Sequence, residues 1–96
     1  MTKVTVKLFA AFRESLGLKE IELDLPHDTT VSSMIDLISR DYSHGKLKSE
    51  VFDKSGNIRK FVKILVNGRD SYFLDGPLTK LHDGDTVAMF PPVGGG

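Results

Sequence analysis

The C-terminal stretch of the chain, residues 86–96, limits most strongly how the molecule can fold. It reads Thr-Val-Ala-Met-Phe-Pro-Pro-Val-Gly-Gly-Gly. Its first five residues are typical of a strand, which must end at Phe90 because Pro91 and Pro92 have no backbone N–H to donate to a sheet. Paired prolines favour an extended chain, and glycine has no side chain to bury. We therefore expect residues 91–96 to form a thin, flexible tail.

Two interpretations of this tail are open. Chain ends are often frayed or carry cloning scars, in which case the glycines have no role. In the other interpretation, the carboxylate of Gly96 is the reactive group, and the two prolines keep it clear of the domain. The stiff spacer between the strand and the glycines favours the second interpretation, since a chain that merely runs out needs no spacer.

The composition limits what the body of the protein, residues 1–90, can be. A chain of 96 residues is one domain with a single modest core. It has no cysteine, which excludes disulfides, thiolate metal sites and cysteine nucleophiles. Its 13 basic and 13 acidic residues cancel, so no net field attracts nucleic acid or a membrane surface. No long apolar run or signal-peptide pattern is present, and we expect a soluble, cytoplasmic protein.

Two strands open the chain. In residues 3–9 apolar and polar side chains alternate, with Val4, Val6 and Leu8 on one face, and residues 20–25 have the same period of two. The pattern predicts an antiparallel hairpin, with residues 10–18 as a long polar loop between its strands.

One helix is clear in the sequence and a second is less so. Residues 31–42 carry apolar side chains at the spacing of one helical face, and Thr30 before them is a good N-cap. Residues 46–60 are the least regular part of the chain, although apolar side chains there are placed to add one further helical turn. Those side chains are Leu47, Val51 and Phe52.

Three more strands complete the pattern. Residues 61–66 have branched side chains on both faces, which is typical of a strand inside a sheet. Asn67-Gly68 is a strong hairpin signal and leads to a shorter strand over residues 69–74. A final turn precedes the last strand, residues 86–90.

These elements predict an α+β architecture. The main helix has one apolar face, so it lies across one face of a mixed sheet of four to five strands. A last strand that pairs in parallel with the first, in the middle of the sheet, buries both. This arrangement is the ubiquitin-like β-grasp roll.

Several stretches resemble those of the sulfur-carrier β-grasp proteins, above all the small subunit of molybdopterin synthase. They are residues 6–14 (VKLFAAFRE), 30–31 (TV), 66–68 (VNG), 81–88 (LHDGDTVA) and 90–96 (FPPVGGG). The tail is the most specific of these, since many proteins have the turn motifs. The same group includes carriers that deliver sulfur to thiamin or to tRNA, and small archaeal ubiquitin-like modifiers.

The resemblance implies a chemistry for the tail. An ATP-dependent, E1-like activating enzyme would adenylate the carboxylate of Gly96, and sulfur would displace AMP to leave a thiocarboxylate. The large subunit of molybdopterin synthase would then use this sulfur on a pterin precursor, in molybdenum cofactor biosynthesis. The chain would bind no cofactor itself and would not be catalytic alone, because no helix follows its glycines to form a phosphate-binding loop.

The tail would enter a narrow channel in each partner. A β-carbon at Gly95 or Gly96 would collide with the channel walls, whereas Gly94 stands where relatives have another small residue and should tolerate substitution best. The spacer between the strand and these glycines consists of Pro91, Pro92 and Val93.

Strand parity predicts a partner-binding surface beside the tail. If Val4 and Val87 face the helix, then Phe9 faces the other side of the sheet, together with Phe90 and Ala88. Leu65 would extend this apolar patch, and exposed apolar patches often mark partner sites. The alternative is that the two rings only tuck under a loop.

The histidines are candidate metal ligands, and two functions other than sulfur transfer remain open. His27, His44 and His82 lack metal-ligand spacing, so we predict no metal site. A ubiquitin-like modifier would join the same activated Gly96 to lysines of target proteins through isopeptide bonds. A simple interaction domain with an inert tail is the third possibility.

Overall fold

The first and last strands lie side by side in the centre of the sheet. The computed structural model of the protein describes residues 1–92. Within that range a five-stranded mixed sheet has the order β2-β1-β5-β3-β4. The strands are β1 (Thr2–Leu8), β2 (Glu20–Leu25), β3 (Lys63–Val66), β4 (Arg69–Asp70) and β5 (Asp85–Phe90).

The pairing directions agree with the sequence-based prediction. Strand β1 is antiparallel to β2 and parallel to β5, and β5 is antiparallel to β3. Alternate residues of the central pair are buried, with Val4, Val6, Val87 and Met89 fully inaccessible to solvent. The predicted β-grasp arrangement, with β1 and β5 buried together, is confirmed.

In residues 1–92, three α-helices accompany the sheet: α1 (Ala10–Leu16), α2 (Val31–Tyr42) and α3 (Lys46–Val51). Helix α2 has the predicted bounds, and the Thr30 Oγ1 accepts a hydrogen bond from the Ser33 N–H at 3.2 Å. This capping bond satisfies one of the N–H groups that a helix start leaves unpaired. The apolar face of α2 enters the same core cluster as Leu47 and Val51 of α3, so the predicted further helical turn is also confirmed.

The prediction of a polar loop over residues 10–18 is wrong. These residues form α1, whose Phe12 side chain is only 1% exposed. The helix ends at Gly17, which has a left-handed φ of 71° and donates its N–H to the Arg13 carbonyl. Phe12 and the partly buried Leu16 are four positions apart, which places both on one face of this helix.

The predicted strand over residues 69–74 is also wrong in its extent. Strand β4 contains only Arg69 and Asp70. The Asp70 carboxylate accepts a hydrogen bond from the Tyr72 N–H at 2.9 Å, and this contact turns the chain into a 3-10 helix, Ser71–Phe73. A second 3-10 helix, Gly76–Leu78, follows. Strand β3 similarly begins at Lys63, two residues later than predicted, because the Val62 N–H bonds the Arg59 carbonyl in a turn.

A polar network fixes the start of β5. The Asp85 carboxylate accepts hydrogen bonds from the His82 N–H and from the Asn67 side-chain amide, each at 2.8 Å. The Asn67 amide oxygen in turn accepts from the Thr86 N–H at 2.9 Å. The β3–β4 hairpin and the turn before β5 are therefore tied together, although sequence reasoning treated them as separate turns.

Substitution of Phe12 tests whether α1 is part of the core. We expect Phe12→Ala to lower the free energy of unfolding by about 3–5 kcal/mol, the usual range for a buried phenylalanine. Urea unfolding followed by circular dichroism measures this change. The exposed neighbour is the control: Arg13→Ala should change stability by less than about 0.5 kcal/mol. A loss below about 1 kcal/mol for Phe12→Ala would contradict the packing of α1.

Candidate functional site

The predicted tail begins at the end of a strand inside the sheet. Strand β5 ends at Phe90, between β1 and β3. Pro91 is buried, so the packed body extends one residue past the strand, and Pro92 is the first exposed residue after it. Val93, Gly94, Gly95 and Gly96, the remaining residues of the predicted tail, lie outside the described residues.

Two aromatic rings meet at the root of this tail. The rings of Phe9 and Phe90 are stacked, with centroids 4.4 Å apart and planes within 11° of parallel. Phe9 is 38% exposed and Phe90 is half-buried, on the side of the sheet opposite the buried Val4 and Val6. Their contact follows from the register, because Leu8 lies opposite Met89 and the next residues of both strands must then be neighbours.

The other two predicted residues extend the same surface. Ala88 lies opposite Leu65 in the β3–β5 ladder, and both are half-buried. Residues that face each other across a ladder share one side of the sheet. We name these four residues the open-face patch: Phe9, Leu65, Ala88 and Phe90. Their place on one face is observed, and their part in partner binding stays a prediction.

The backbone holds Phe9 in place from two directions. Its N–H donates to the Met89 carbonyl at 3.3 Å, which continues the β1–β5 pairing by one bond. Its carbonyl accepts from the N–H groups of Phe12 and Arg13 at the start of α1. Ala10, which follows Phe9 and begins α1, has φ = 50°, an uncommon conformation for a residue other than glycine. Helix α1, which sequence reasoning missed, therefore fixes the backbone that carries the ring.

Charged side chains surround the open-face patch in an uneven way. Lys7 lies opposite Ala88, and Lys63 lies opposite Phe90, so two ammonium groups stand beside the apolar residues. On the far strand, exposed carboxylates occupy the positions opposite β1, which are Glu20, Glu22 and Asp24. The patch thus has basic neighbours beside its rings and an acidic border along β2.

Metal-binding clusters and membrane-spanning helices are both missing from residues 1–92. Within this range, no three histidine, aspartate or glutamate side chains are grouped as a metal site would require. None of the helices in the same range is both long and apolar enough to cross a membrane.

Comparison with known proteins places this arrangement in a family. The family model described as the ThiS family matches residues 6–96. The chain belongs to the ThiS family. The resemblance to sulfur-carrier β-grasp proteins, predicted from the tail and the turn motifs, is thereby confirmed.

Two curated relatives show the range of functions within this likeness. The chain is 36% identical over 96 residues to Small archaeal modifier protein 3 of Haloferax volcanii, covering 98% of this chain and 99% of the relative. It is 35% identical over 69 residues to Sulfur carrier protein CysO of Mycobacterium bovis, covering 70% and 72% of the two chains. This member of the ThiS family is thus similar both to a modifier and to a sulfur carrier.

A solved structure adds a third likeness. A Pyrococcus furiosus protein provisionally assigned as molybdopterin converting factor subunit 1 superposes with a TM-score of 0.74. It is 38% identical in sequence, and the match covers 97% of this chain and all of that chain. Agreement over whole chains confirms the β-grasp fold for this ThiS family protein.

A double-mutant cycle measures the ring stacking at the tail root. Phe9→Leu and Phe90→Leu keep apolar bulk but remove the stacked geometry, so the two changes should be coupled by about 0.5–1.5 kcal/mol in unfolding free energy. Urea unfolding of the two single variants and the double variant gives this coupling. Phe9→Leu combined with Tyr42→Leu is the matched control, since Tyr42 ends α2 on the other side of the sheet, and that pair should be additive. Additive effects of Phe9 and Phe90 would contradict the stacking.

Proposed function

We propose that this chain is a sulfur carrier whose Gly96 carboxylate is activated by adenylation and converted to a thiocarboxylate. In this proposal it is the small subunit of a molybdopterin synthase and delivers sulfur for molybdenum cofactor biosynthesis. The observation that carries the proposal is the position of β5, which ends beside the open-face patch and continues into residues 91–96. The likeness to CysO and to the Pyrococcus furiosus subunit supports it.

The chemistry requires a partner with ATP. A carboxylate is a poor electrophile, so the activating enzyme joins it to the α-phosphate of ATP and releases pyrophosphate. Sulfide then attacks the acyl carbon and loses its proton, and AMP leaves with the bonding electron pair. The product is a thiocarboxylate on Gly96, and its sulfur passes to the pterin precursor held by the large synthase subunit. The chain itself provides the carboxylate and its docking surface, and we place the reaction in the cytoplasm.

The open-face patch is the proposed docking surface for both partners. Its central rings are rigid because Phe9 and Phe90 stack on each other and the backbone of Phe9 is bonded to Met89 and to α1. Aromatic residues that are held in place before binding lose little conformational entropy in a complex, and they are frequent binding hot spots. A partner seated there is adjacent to Pro92, the last described residue of the tail.

A second candidate function is favoured by one specific observation. Small archaeal modifier protein 3 of Haloferax volcanii matches nearly the whole chain. As a modifier, this protein would use the same acyl-adenylate, but the ε-amine of a target lysine would attack the carbonyl and lose a proton. AMP would leave with the electron pair of the acyl–oxygen bond as the isopeptide bond forms. One activated carboxylate serves both reactions, so a single protein can carry sulfur and modify lysines.

Mass spectrometry of the intact chain tests the sulfur-carrier proposal. After incubation with ATP, sulfide and an E1-like activating enzyme, the mass should rise by about 16 units as sulfur replaces one oxygen. Deletion of Gly95 and Gly96 is the control and should abolish the gain. Gly94→Ala should keep most of it, whereas Gly95→Ala should lose it. An unchanged mass with several candidate activating enzymes would contradict the proposal, and unchanged cellular function after the deletion would indicate an inert tail.

The modifier function needs its own test, and a standard tryptic digest does not suit it because trypsin has no cleavage site close to the C-terminal glycines. Lys80 is the last lysine or arginine, so a tryptic digest would leave residues 81–96 attached to any target lysine. The variant Val93→Arg allows trypsin to cleave next to the glycines, and a target lysine would then carry residues 94–96 only. Proteomic detection of this short remnant on lysines, absent when Gly95 and Gly96 are deleted, is the expected result for a modifier. If this remnant is absent from cells in which the thiocarboxylate mass gain is observed, the modifier function is excluded and the sulfur-carrier function remains.

A further inference from the structure

A second apolar surface lies outside the open-face patch. A groove of about 690 Å³ separates the start of β3 from the 3-10 helix Ser71–Phe73. Three aromatic side chains that line it are strongly exposed: Phe61 at 62%, Tyr72 at 77% and Phe73 at 79%. Single exposed apolar residues are ordinary, but three rings along one groove form the kind of surface that marks a binding site.

Two of the exposed rings contact each other, and buried residues lie beneath them. Tyr72 and Phe73 meet edge to face, with centroids 5.1 Å apart. Val62 and Ser71, which also line the groove, are buried and provide a solid floor. Large apolar side chains from a partner could therefore pack on the three exposed rings without disturbing the core.

The charge of the groove is positive. Arg59, Lys60 and Lys63 line it together with one carboxylate, that of Asp70, so the balance of three cations against one anion is an excess of positive charge. Lys63 is already close to Asp70, with 3.5 Å between Nζ and Oδ2. Arg59 and Lys60 therefore supply the unbalanced charge. The Arg59 Nε donates to the Ser49 carbonyl at 3.0 Å, which keeps the positive charge, and the Lys60 ammonium lies 5.4 Å from the centre of the Phe61 ring.

Short strand β4 pairs with only part of β3. Leu65 and Val66 pair with β4, whereas Lys63 and Ile64 pair with β5 but have no partner residue in β4. Of these two residues, Lys63 lines the groove. Partner peptides commonly bind in extended form along such a sheet edge, where their alternate side chains enter pockets.

We propose that this groove binds an extended acidic segment of a partner protein that carries aromatic or large aliphatic side chains. Its carboxylates pair with Arg59 and Lys60, and its apolar side chains pack on Phe61, Tyr72 and Phe73. A protein segment fits better than a nucleic acid, because the Asp70 carboxylate lies in the groove and the chain has equal numbers of acidic and basic residues. The site goes beyond the proposed function and does not require the tail to be activated.

The position of the groove also suggests how it serves a complex. Lys63 lines the groove and lies opposite Phe90 in the β3–β5 ladder, so the groove borders the open-face patch. A partner that covers the patch can therefore extend an acidic segment into the groove. Two linked contacts on one partner strengthen binding by raising the effective concentration of the second contact.

A defined peptide tests the groove directly. The probe is an acetylated and amidated peptide of alternating aspartate with phenylalanine or leucine, titrated into the ¹⁵N-labelled full chain and followed by amide chemical shifts. We expect saturable shifts at residues 59–63 and 70–73. The double variant Tyr72→Ser with Phe73→Ser should weaken binding at least about tenfold, because exposed aromatic anchors dominate such contacts. Lys60→Glu should weaken binding of this peptide and strengthen binding of a second peptide in which lysine replaces aspartate.

Matched control variants distinguish binding in the groove from non-specific adhesion to exposed rings. Tyr42→Ser removes an exposed aromatic ring from the end of α2 and should leave the affinity unchanged. Thermal unfolding of each variant shows that it is folded, which is expected because the substituted side chains are exposed. The proposal is overturned if no saturable shift occurs, if the shifts centre on Phe9 and Phe90, or if the lysine peptide binds the unmodified chain as tightly. It is also overturned if single-stranded oligouridylate binds through the same residues more tightly than the acidic peptide.

Discussion

The parallel pairing of β1 with β5 is the contact on which the rest of this structure depends. It buries Val4, Val6, Val87 and Met89 completely, and it joins the two ends of the chain in the middle of the sheet. Parallel neighbours cannot be linked by a tight turn, so the intervening chain must cross the sheet and supply the helices that cover its inner face. Backbone bonds close both ends of the pair, from Gly84 N–H to the Lys3 carbonyl and from Phe9 N–H to the Met89 carbonyl.

This central position explains how the proposed binding surface and the proposed reactive terminus can occur together. A strand at the edge of the sheet would release the tail at the periphery, with neighbours on one side only. Strand β5 instead has β1 and β3 on its two sides, so Phe9 and Lys63 both flank Phe90 where the tail begins. The neighbours of β5 thus surround the start of residues 91–96 with the rings and charges of the proposed docking surface. The groove beyond β3 adds further aromatic rings and basic side chains next to this patch.

Sequence reasoning reached the features that depend on period and parity. The alternation around Val6, the helical spacing of residues 31–42 and the prolines after Phe90 predicted the strands, the main helix and the neighbouring positions of Phe9 and Phe90.

Sequence reasoning failed where one or two side chains determine the local conformation of the backbone. Helix α1 is held by only Phe12 and Leu16, too few apolar residues for a clear helical period. Strand β4 stops because the Asp70 carboxylate accepts a hydrogen bond from the Tyr72 N–H, a local contact typical of turns that the predicted strand over residues 69–74 did not take into account. The bond between Asn67 and Asp85 joins positions far apart in the chain, which no local pattern reveals.

The central claim is that an activating enzyme acts on the free carboxylate at the end of this chain. ATP–pyrophosphate exchange tests it most directly, because exchange requires reversible formation of the acyl-adenylate and needs neither sulfide nor an acceptor. Two forms of the protein should be compared with the same E1-like enzyme: one with a free carboxylate on Gly96, and one, made by semisynthesis, with a carboxamide there. The account predicts exchange with the first form and none with the second. Equal exchange with both forms would contradict it, as would no exchange with the free carboxylate in a preparation that activates another member of the family.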